Sequence, residues 1–158
     1  MPDVRSDLVA VYVYRRVNGI VELLQLHRSG SAGEYQQSWQ IVYGGVEKPN
    51  GKSETAVETA LRELKEETGL TPISMWQVEY LESFYFMPRD YVLIMPVFAA
   101  EVSPQAAIAL DSEHDAFRWV PEGQIESAFM WRTQREALVH LLAELHHAGP
   151  ARPFLTIR

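Results

Sequence analysis

The segment Thr55-Ala56-Val57-Glu58-Thr59-Ala60-Leu61-Arg62-Glu63-Leu64-Lys65-Glu66-Glu67-Thr68-Gly69-Leu70 carries a helix start, a helix face and a helix stop. Thr55 can accept from the free N–H groups of a first turn, and Glu58, three residues on, completes a capping box. Val57, Ala60, Leu61 and Leu64 recur at i, i+3, i+4 and i+7, which predicts a core-facing stripe. Gly69 is placed to end the helix and Pro72 prevents its resumption. The same helix spaces Glu63, Glu66 and Glu67 at i, i+3 and i+4, so their carboxylates share one sector. Like charges at these spacings destabilise a helix, and a bound Mg²⁺ or Mn²⁺ would remove that penalty. Glutamate-rich faces are also common on solvated surfaces, so the cluster alone does not define a site.

Outward from this helix the chain is rich in strands. Leu8 to Tyr14 reads as a buried strand, and Asn18-Gly19 is a hairpin signal before Ile20 to Leu26. Ser29 to Gly33 is a loop, followed by a short strand around Trp39 to Tyr43; Gly44-Gly45 opens an irregular stretch through Pro49-Asn50-Gly51. Beyond the helix, Met75 to Phe86 and Tyr91 to Val102 are β-rich and flank a turn at Met87-Pro88-Arg89-Asp90. A short strand at Phe117 to Val120 precedes a helix from about Thr133 to His147, whose Leu138, Leu141, Leu142 and Leu145 lie on one side. The tail from Gly149 holds two prolines and reads as extended. Strands interrupted by a helix predict an α/β protein of the α+β kind, with a mixed sheet packed between helices.

The bulk numbers limit the chemistry. A chain of 158 residues with 47% hydrophobic and 22% charged residues fits one globular domain with a sizeable core. With no cysteine, disulfides, thiolate metal sites and cysteine nucleophiles are excluded. The first residues lack a signal-peptide layout and no apolar run approaches a membrane span, so a cytoplasmic location and no membrane partner are expected. A net charge of −7 argues against binding long nucleic acid, which relies on excess Lys and Arg. An acidic protein still binds phosphate when a divalent cation lies between the two negative partners.

Glu54, then seven residues, then Arg62-Glu63-Leu64-Lys65-Glu66-Glu67-Thr68-Gly69-Leu70 resembles the Nudix box, with matching spacing from Glu54 to Leu70. One departure stands out: the family places five residues between its leading glycine and first glutamate, whereas eight separate Gly45 from Glu54 here. The simplest account is a three-residue insertion near Lys48-Pro49-Asn50, a turn-prone place where added length is tolerated. Ser38 to Glu47 is similar to the strand and loop entering the box in many members, and Glu113-His114 with Phe117 to Val120 resembles a downstream feature. Trp131 to Leu138 looks like the final helix of bacterial dATP or dihydroneopterin triphosphate pyrophosphohydrolases. The resemblance covers roughly residues 8 to 147.

That resemblance implies a Nudix-like α/β/α sandwich, with a single domain over residues 1–148 and a tail over 149–158. It implies metal ligation by Glu63 and Glu67, by the Gly45 carbonyl, and by Glu113 from downstream. Glu66 would be a further ligand or the base for the attacking water; family members differ in which carboxylate is the base, so Glu63 and Glu66 are both candidate catalytic residues. Arg62 is expected as a structural partner of Glu54 or Glu58. Arg28 is a candidate phosphate binder, and Trp39, Tyr85 and Phe86 are candidates for stacking on a base or pterin ring. The implied activity is Mg²⁺- or Mn²⁺-dependent hydrolysis of a nucleoside triphosphate, or a similar nucleotide-like substrate, to monophosphate and pyrophosphate. Dinucleoside polyphosphates, nucleotide sugars and RNA 5′ ends are alternative substrates, and a non-catalytic nucleotide-binding module is the alternative of another class. A homodimer is compatible with these features.

Overall fold

The capped helix forms as α1, Ala56–Thr68, in the computed structural model, which describes residues 1–158. The Glu58 N–H donates to Thr55 Oγ1 at 3.2 Å, and the Thr55 N–H donates to the Glu58 carboxylate at 2.7 Å, closing the capping box. Gly69 ends the helix in the left-handed conformation at φ 72°, donating its N–H to the Lys65 carbonyl.

The phase of α1 differs from the predicted stripe. Ala60 and Leu64 are fully buried, but Leu61 is 39% exposed, and the buried row continues through Glu67 and Thr68. Once Ala60 and Leu64 point inward, the i+3 and i+4 spacing carries Glu67 and Thr68 inward with them, while Leu61 turns about 100° away. Helix geometry therefore drives a carboxylate into the interface.

Eight strands make one mixed sheet: β1 (Asp3–Arg5), β2 (Leu8–Val17), β3 (Ile20–Arg28), β4 (Trp39–Gln40), β5 (Val42–Gly45), β6 (Ser74–Phe86), β7 (Tyr91–Glu101) and β8 (His114–Pro121). β2 and β3 form the predicted hairpin, with Asn18 and Gly19 both at positive φ (50° and 79°), as a two-residue turn that follows the strand twist requires. β2 runs parallel to β7, and β7 pairs antiparallel with β6. β4 and β5, broken at Ile41, enter where β2 and β3 diverge: β4 pairs with the end of β3, and β5 with the start of β2. Gly44 and Gly45, expected to open an irregular stretch, are still in register opposite Val9 and Leu8. β1, too short to show a pattern, was not anticipated.

Alternation along β2 divides the core in two. Val9, Val11 and Val13 face α1 with Ala60, Leu64, Leu24 and Phe98; Ala10, Tyr12 and Tyr14 face the opposite layer with Trp76 and Val97. That layer is closed by α3, Arg132–His146, through Ala137, Leu138 and Leu141, after a short α2, Ile125–Ala128. The result is the expected mixed sheet between helices. No helix is long and apolar enough to cross a membrane.

The tail is not simply extended. It forms α4, Arg152–Leu155, after which Thr156 bridges to Trp76 and the Ile157 N–H donates to the Met75 carbonyl at 2.9 Å. These contacts cover the start of the β6 edge, and the Arg152 guanidinium lies 3.9 Å from the centre of the Trp76 ring. Arg152→Ala should cost roughly 1 kcal/mol, the scale of a partly desolvated cation–π contact. Urea unfolding followed by tryptophan fluorescence measures it, and an unchanged midpoint would show that the stacking does not hold the tail.

Candidate active site

Arg62 is the hub of the acidic helix. Its Nε donates to Glu54 Oε1 at 2.8 Å and its Nη2 to Glu54 Oε2 at 2.9 Å, a two-pronged grip. Nη2 also reaches the Gly45 carbonyl at 2.8 Å, and Nη1 reaches Glu63 at 2.9 Å and Glu66 at 3.1 Å. Of the two partners expected for Arg62, the structure selects Glu54, because Glu58 is committed to the cap. The Arg62 guanidinium, aided by the Glu47 N–H and the Thr59 hydroxyl, holds the Glu54 carboxyl down to about 2. In return Arg62 is raised above its ordinary value.

The loop before the helix absorbs the additional length locally. Glu47 and Glu54 close on each other, with the Glu54 N–H donating to the Glu47 carbonyl at 2.9 Å and the Glu47 N–H to Glu54 Oε2 at 3.1 Å. Between them Pro49–Gly51 forms a single 3₁₀ turn, with Asn50 and Gly51 at positive φ. Ahead of this excursion, Gly44 allows α1 to approach β5: a Cβ there would lie 1.9 Å from Glu63 Cγ. Only glycine leaves room for the Glu63 side chain.

Glu67 sits deepest. It is 7% exposed, and burial, reinforced by the charges of Glu63, Asp111 and Glu113, pushes its carboxyl up to about 9; Arg28 acts in the opposite sense. Its Oε2 is buried with no hydrogen-bond partner. The acidic neighbours arrive through backbone contacts distant in sequence. The Ala109 N–H donates to the Thr68 carbonyl at 2.9 Å, drawing the segment before β8 across the end of α1, and the Ser29 N–H donates to the Glu113 carbonyl at 2.9 Å. Asp111, which no motif singled out, holds His114 Nδ1 at 2.7 Å while its charge bears on Glu67. The one sequence clue to it was its place two residues before Glu113. Burial also raises Glu63, against the pull of Arg62.

As the side chains stand, no three acidic or histidine groups are gathered tightly enough to hold a metal ion; Glu63 and Glu66 share Arg62 instead. The donor set is nonetheless all hard oxygen, which suits Mg²⁺ or Mn²⁺. The unpartnered Glu67 Oε2 is a buried acceptor that a cation would satisfy, and Glu66, tied to Arg62, has a side chain 55% exposed.

Arg28, whose charge acts on Glu67, also lines a cavity of about 310 Å³. Tyr35, Phe84, Phe86, Tyr91 and Trp131 supply aromatic walls, Gln40 and Tyr43 a polar floor, and Arg28, Glu34 and Arg89 a charged rim. Tyr35 and Phe84 meet Trp131 edge-on, with ring centres 5.2 and 5.1 Å apart. Of the candidates for ring stacking, only Phe86 lines this cavity. Tyr85 falls on the other face of β6, half-exposed and bonded to Asp90 at 2.8 Å. Trp39 lies outside too, 4.2 Å beneath the Arg118 guanidinium and beside His27. Arg28 belongs to both halves: it lines the cavity, and its charge acts on Glu67.

Comparison with known proteins places these features in context. The NUDIX domain family model matches residues 5–142. An octanoyltransferase from Myxococcus xanthus is 36% identical over 85 residues, 52% of this chain, and the chain spans 22% of that relative's length. Among solved structures, a NUDIX hydrolase from Listeria monocytogenes superposes with a TM-score of 0.72 at 25% identity, covering 90% of this chain and 95% of that one. The binary complex of a C. elegans Ap4A hydrolase gives a TM-score of 0.72 at 21% identity over 90% and 98% of the two chains.

Because Glu67 is raised in the folded protein, it binds a proton more tightly folded than unfolded. Its contribution to stability is full below the ordinary glutamate value and is lost as pH climbs towards about 9. With metal chelated, Glu67→Gln should therefore raise the melting temperature at pH 8 by more than at pH 5. Calorimetry at both pH values checks this, and an equal or opposite difference would mean that Glu67 is not buried as described.

Proposed function

The chain belongs to the NUDIX domain family, and from that premise we propose that it hydrolyses the pyrophosphate linkage of a nucleoside triphosphate, or a similar nucleotide-like molecule, to the monophosphate and pyrophosphate. The family makes it a hydrolase, and metal-dependent cleavage of pyrophosphate linkages is the general activity of its members. The observation that carries the finer reading is the adjacency of two unlike surfaces. Glu67 on α1 is buried with an unpartnered oxygen, and Arg28, whose charge acts on Glu67, also lines an aromatic cavity of about 310 Å³. A substrate with a ring at one end and a phosphate chain at the other meets both surfaces at once.

In this reading Glu63, Glu66, Glu67 and the Gly45 carbonyl would hold Mg²⁺ or Mn²⁺, with Glu113, from the segment before β8, as a further ligand. A cation bound there would supply charge to neutralise phosphate oxygens and to make water a better nucleophile. The protein supplies the rest. Glu67, whose carboxyl burial pushes up to about 9, would have to give up a proton to serve as a ligand, since a carboxylate binds a cation in its ionised form. Glu66 is the better placed of the two candidate bases: it reaches solvent, whereas Glu63 is packed against Gly44. Arg62 acts on the carboxylates rather than on the substrate, fixing Glu54 and steadying Glu63 and Glu66. Arg28 bears on the phosphate chain from the cavity side, and Tyr35, Phe84, Phe86 and Trp131 enclose the ring. The net charge of −7 and the single-ring cavity favour a small molecule over long nucleic acid.

A Mg²⁺-supplemented panel of canonical and oxidised nucleoside triphosphates, dihydroneopterin triphosphate, dinucleoside polyphosphates and nucleotide sugars tests the reading, with products identified by mass. A triphosphate should release its monophosphate and pyrophosphate. Glu66→Gln and Glu67→Gln should each lower turnover by about 10² or more, with the far-ultraviolet circular dichroism unchanged. An unchanged rate in both variants would defeat the assignment.

A further inference from the structure

Under the floor of the aromatic cavity lies a chain of buried polar side chains that the hydrolytic chemistry leaves unused. It begins at Glu82, a carboxylate with no exposed surface in the middle of β6. Tyr12 and Tyr43 both donate to Glu82 Oε1, at 3.0 and 3.3 Å. Gln134, buried on α3, spends its two amide protons on Tyr43 Oη at 3.0 Å and Gln40 Oε1 at 3.1 Å. Gln40 Oε1 also accepts from the Trp131 indole N–H at 3.2 Å. The far end of the chain is thus an aromatic wall of the cavity. Two acceptors along it, Glu82 Oε2 and Gln134 Oε1, are buried without partners.

We propose that Glu82 is a positioning residue: through Tyr43, Gln134 and Gln40 it holds the Trp131 indole in place as a fixed wall of the ring-binding cavity. The role of that wall rests on the function proposed above; the coupling between Glu82 and Trp131 does not. The hydroxyl protons of Tyr12 and Tyr43 and both amide protons of Gln134 are already spent. A neutral Glu82 needs nothing more at Oε1 and carries its own proton. An ionised Glu82 presents a second, desolvated acceptor that no remaining donor can reach. It competes for the Gln134 amide, and drawing that amide away from Gln40 removes one of the two donors that fix Gln40. The titratable groups facing Glu82 are Tyr12 on β2, Tyr43 on β5 and Tyr80 on its own strand, with the uncharged Gln134 from α3. Burial raises the carboxyl to about 7, opposed by the two tyrosine hydroxyls, so the change falls in an accessible range.

The test is the indole N–H resonance of Trp131 in the full-length, ligand-free protein, followed by ¹H–¹⁵N nuclear magnetic resonance from about pH 5.5 to 8.5 and assigned by its loss in Trp131→Phe. It should titrate with a midpoint near Glu82's own in the wild type. It should be flat in Glu82→Gln, which mimics the neutral acid, and in Gln134→Leu, which cuts the chain in the middle while keeping Glu82. A resonance that does not move in the wild type, or that moves equally in either variant, overturns the proposal, so failure of one variant to fold leaves the other decisive. Adenosine, which does not ionise in this range, separates the two readings. Its affinity should fall severalfold above neutrality in the wild type and stay constant in Glu82→Gln. If adenosine never perturbs Trp131 while the indole still titrates as expected, the coupling stands and the assignment of the cavity to a ring is what fails.

Discussion

Burying Glu67 is the constraint on which the rest of the site depends. An ionised carboxylate in a water-poor interface costs several kcal/mol unless it is paired, and its neighbours Glu63, Asp111 and Glu113 add repulsion rather than relief. The helix cannot avoid this, because the rotation that buries Ala60 and Leu64 also buries Glu67. A domain tolerates such a feature by keeping the carboxyl protonated or by bringing positive charge to it. Arg62 does not bond to Glu67; it is committed to Glu54, Gly45, Glu63 and Glu66. The unpartnered Glu67 oxygen sets the sector apart from a surface ion-pair network, and under the proposed function it is what a cation would satisfy.

The sheet connects the acidic helix to the aromatic cavity. Strand alternation sends Val9, Val11 and Val13 to one layer and Ala10, Tyr12 and Tyr14 to the other, so one sheet backs the acidic helix on one face and the glutamine–tyrosine chain on the other. β5 joins them at its end, where Tyr43 floors the cavity, Gly44 admits Glu63 and the Gly45 carbonyl faces Arg62. Three consecutive residues thus connect the aromatic cavity to the acidic sector. Rigidity here is a matter of geometry: each is held by backbone pairing to β2.

Much of this was legible in the residues, for reasons that can be named. Capping box, terminal glycine, hairpin turn and the spacing of Arg62 relative to Glu54 are local, and local rules suffice for them. What was not legible depended on register and distant pairing. Leu61 looked as apolar as Leu64, and only packing against β2 and β5 fixed the phase that exposes it. In Ser83-Phe84-Tyr85-Phe86 any ring could face inward; the register shift of β6 against β7 between Gln77 and Leu81 precedes this run, and inward parity falls to Phe84 and Phe86 rather than Tyr85. Trp39 is drawn beneath Arg118 by the pairing of β8 with β3, a contact between residues far apart in sequence. Asp111 joins Glu67 because a backbone bond at Ala109 crosses the end of α1. Tyr35 and Trp131, on a loop and a helix cap, had no periodicity to betray them.

Exchange of the buried Glu67 proton for a divalent cation is tested most directly by calorimetric titration of the substrate-free protein with Mn²⁺. Run near pH 7.5 in two buffers of different ionisation enthalpy, it should show binding coupled to release of about one proton. Both the binding strength and the proton release should fall sharply in Glu67→Gln. Mn²⁺ binding that liberates no proton, or that is equally strong in the variant, would contradict the account.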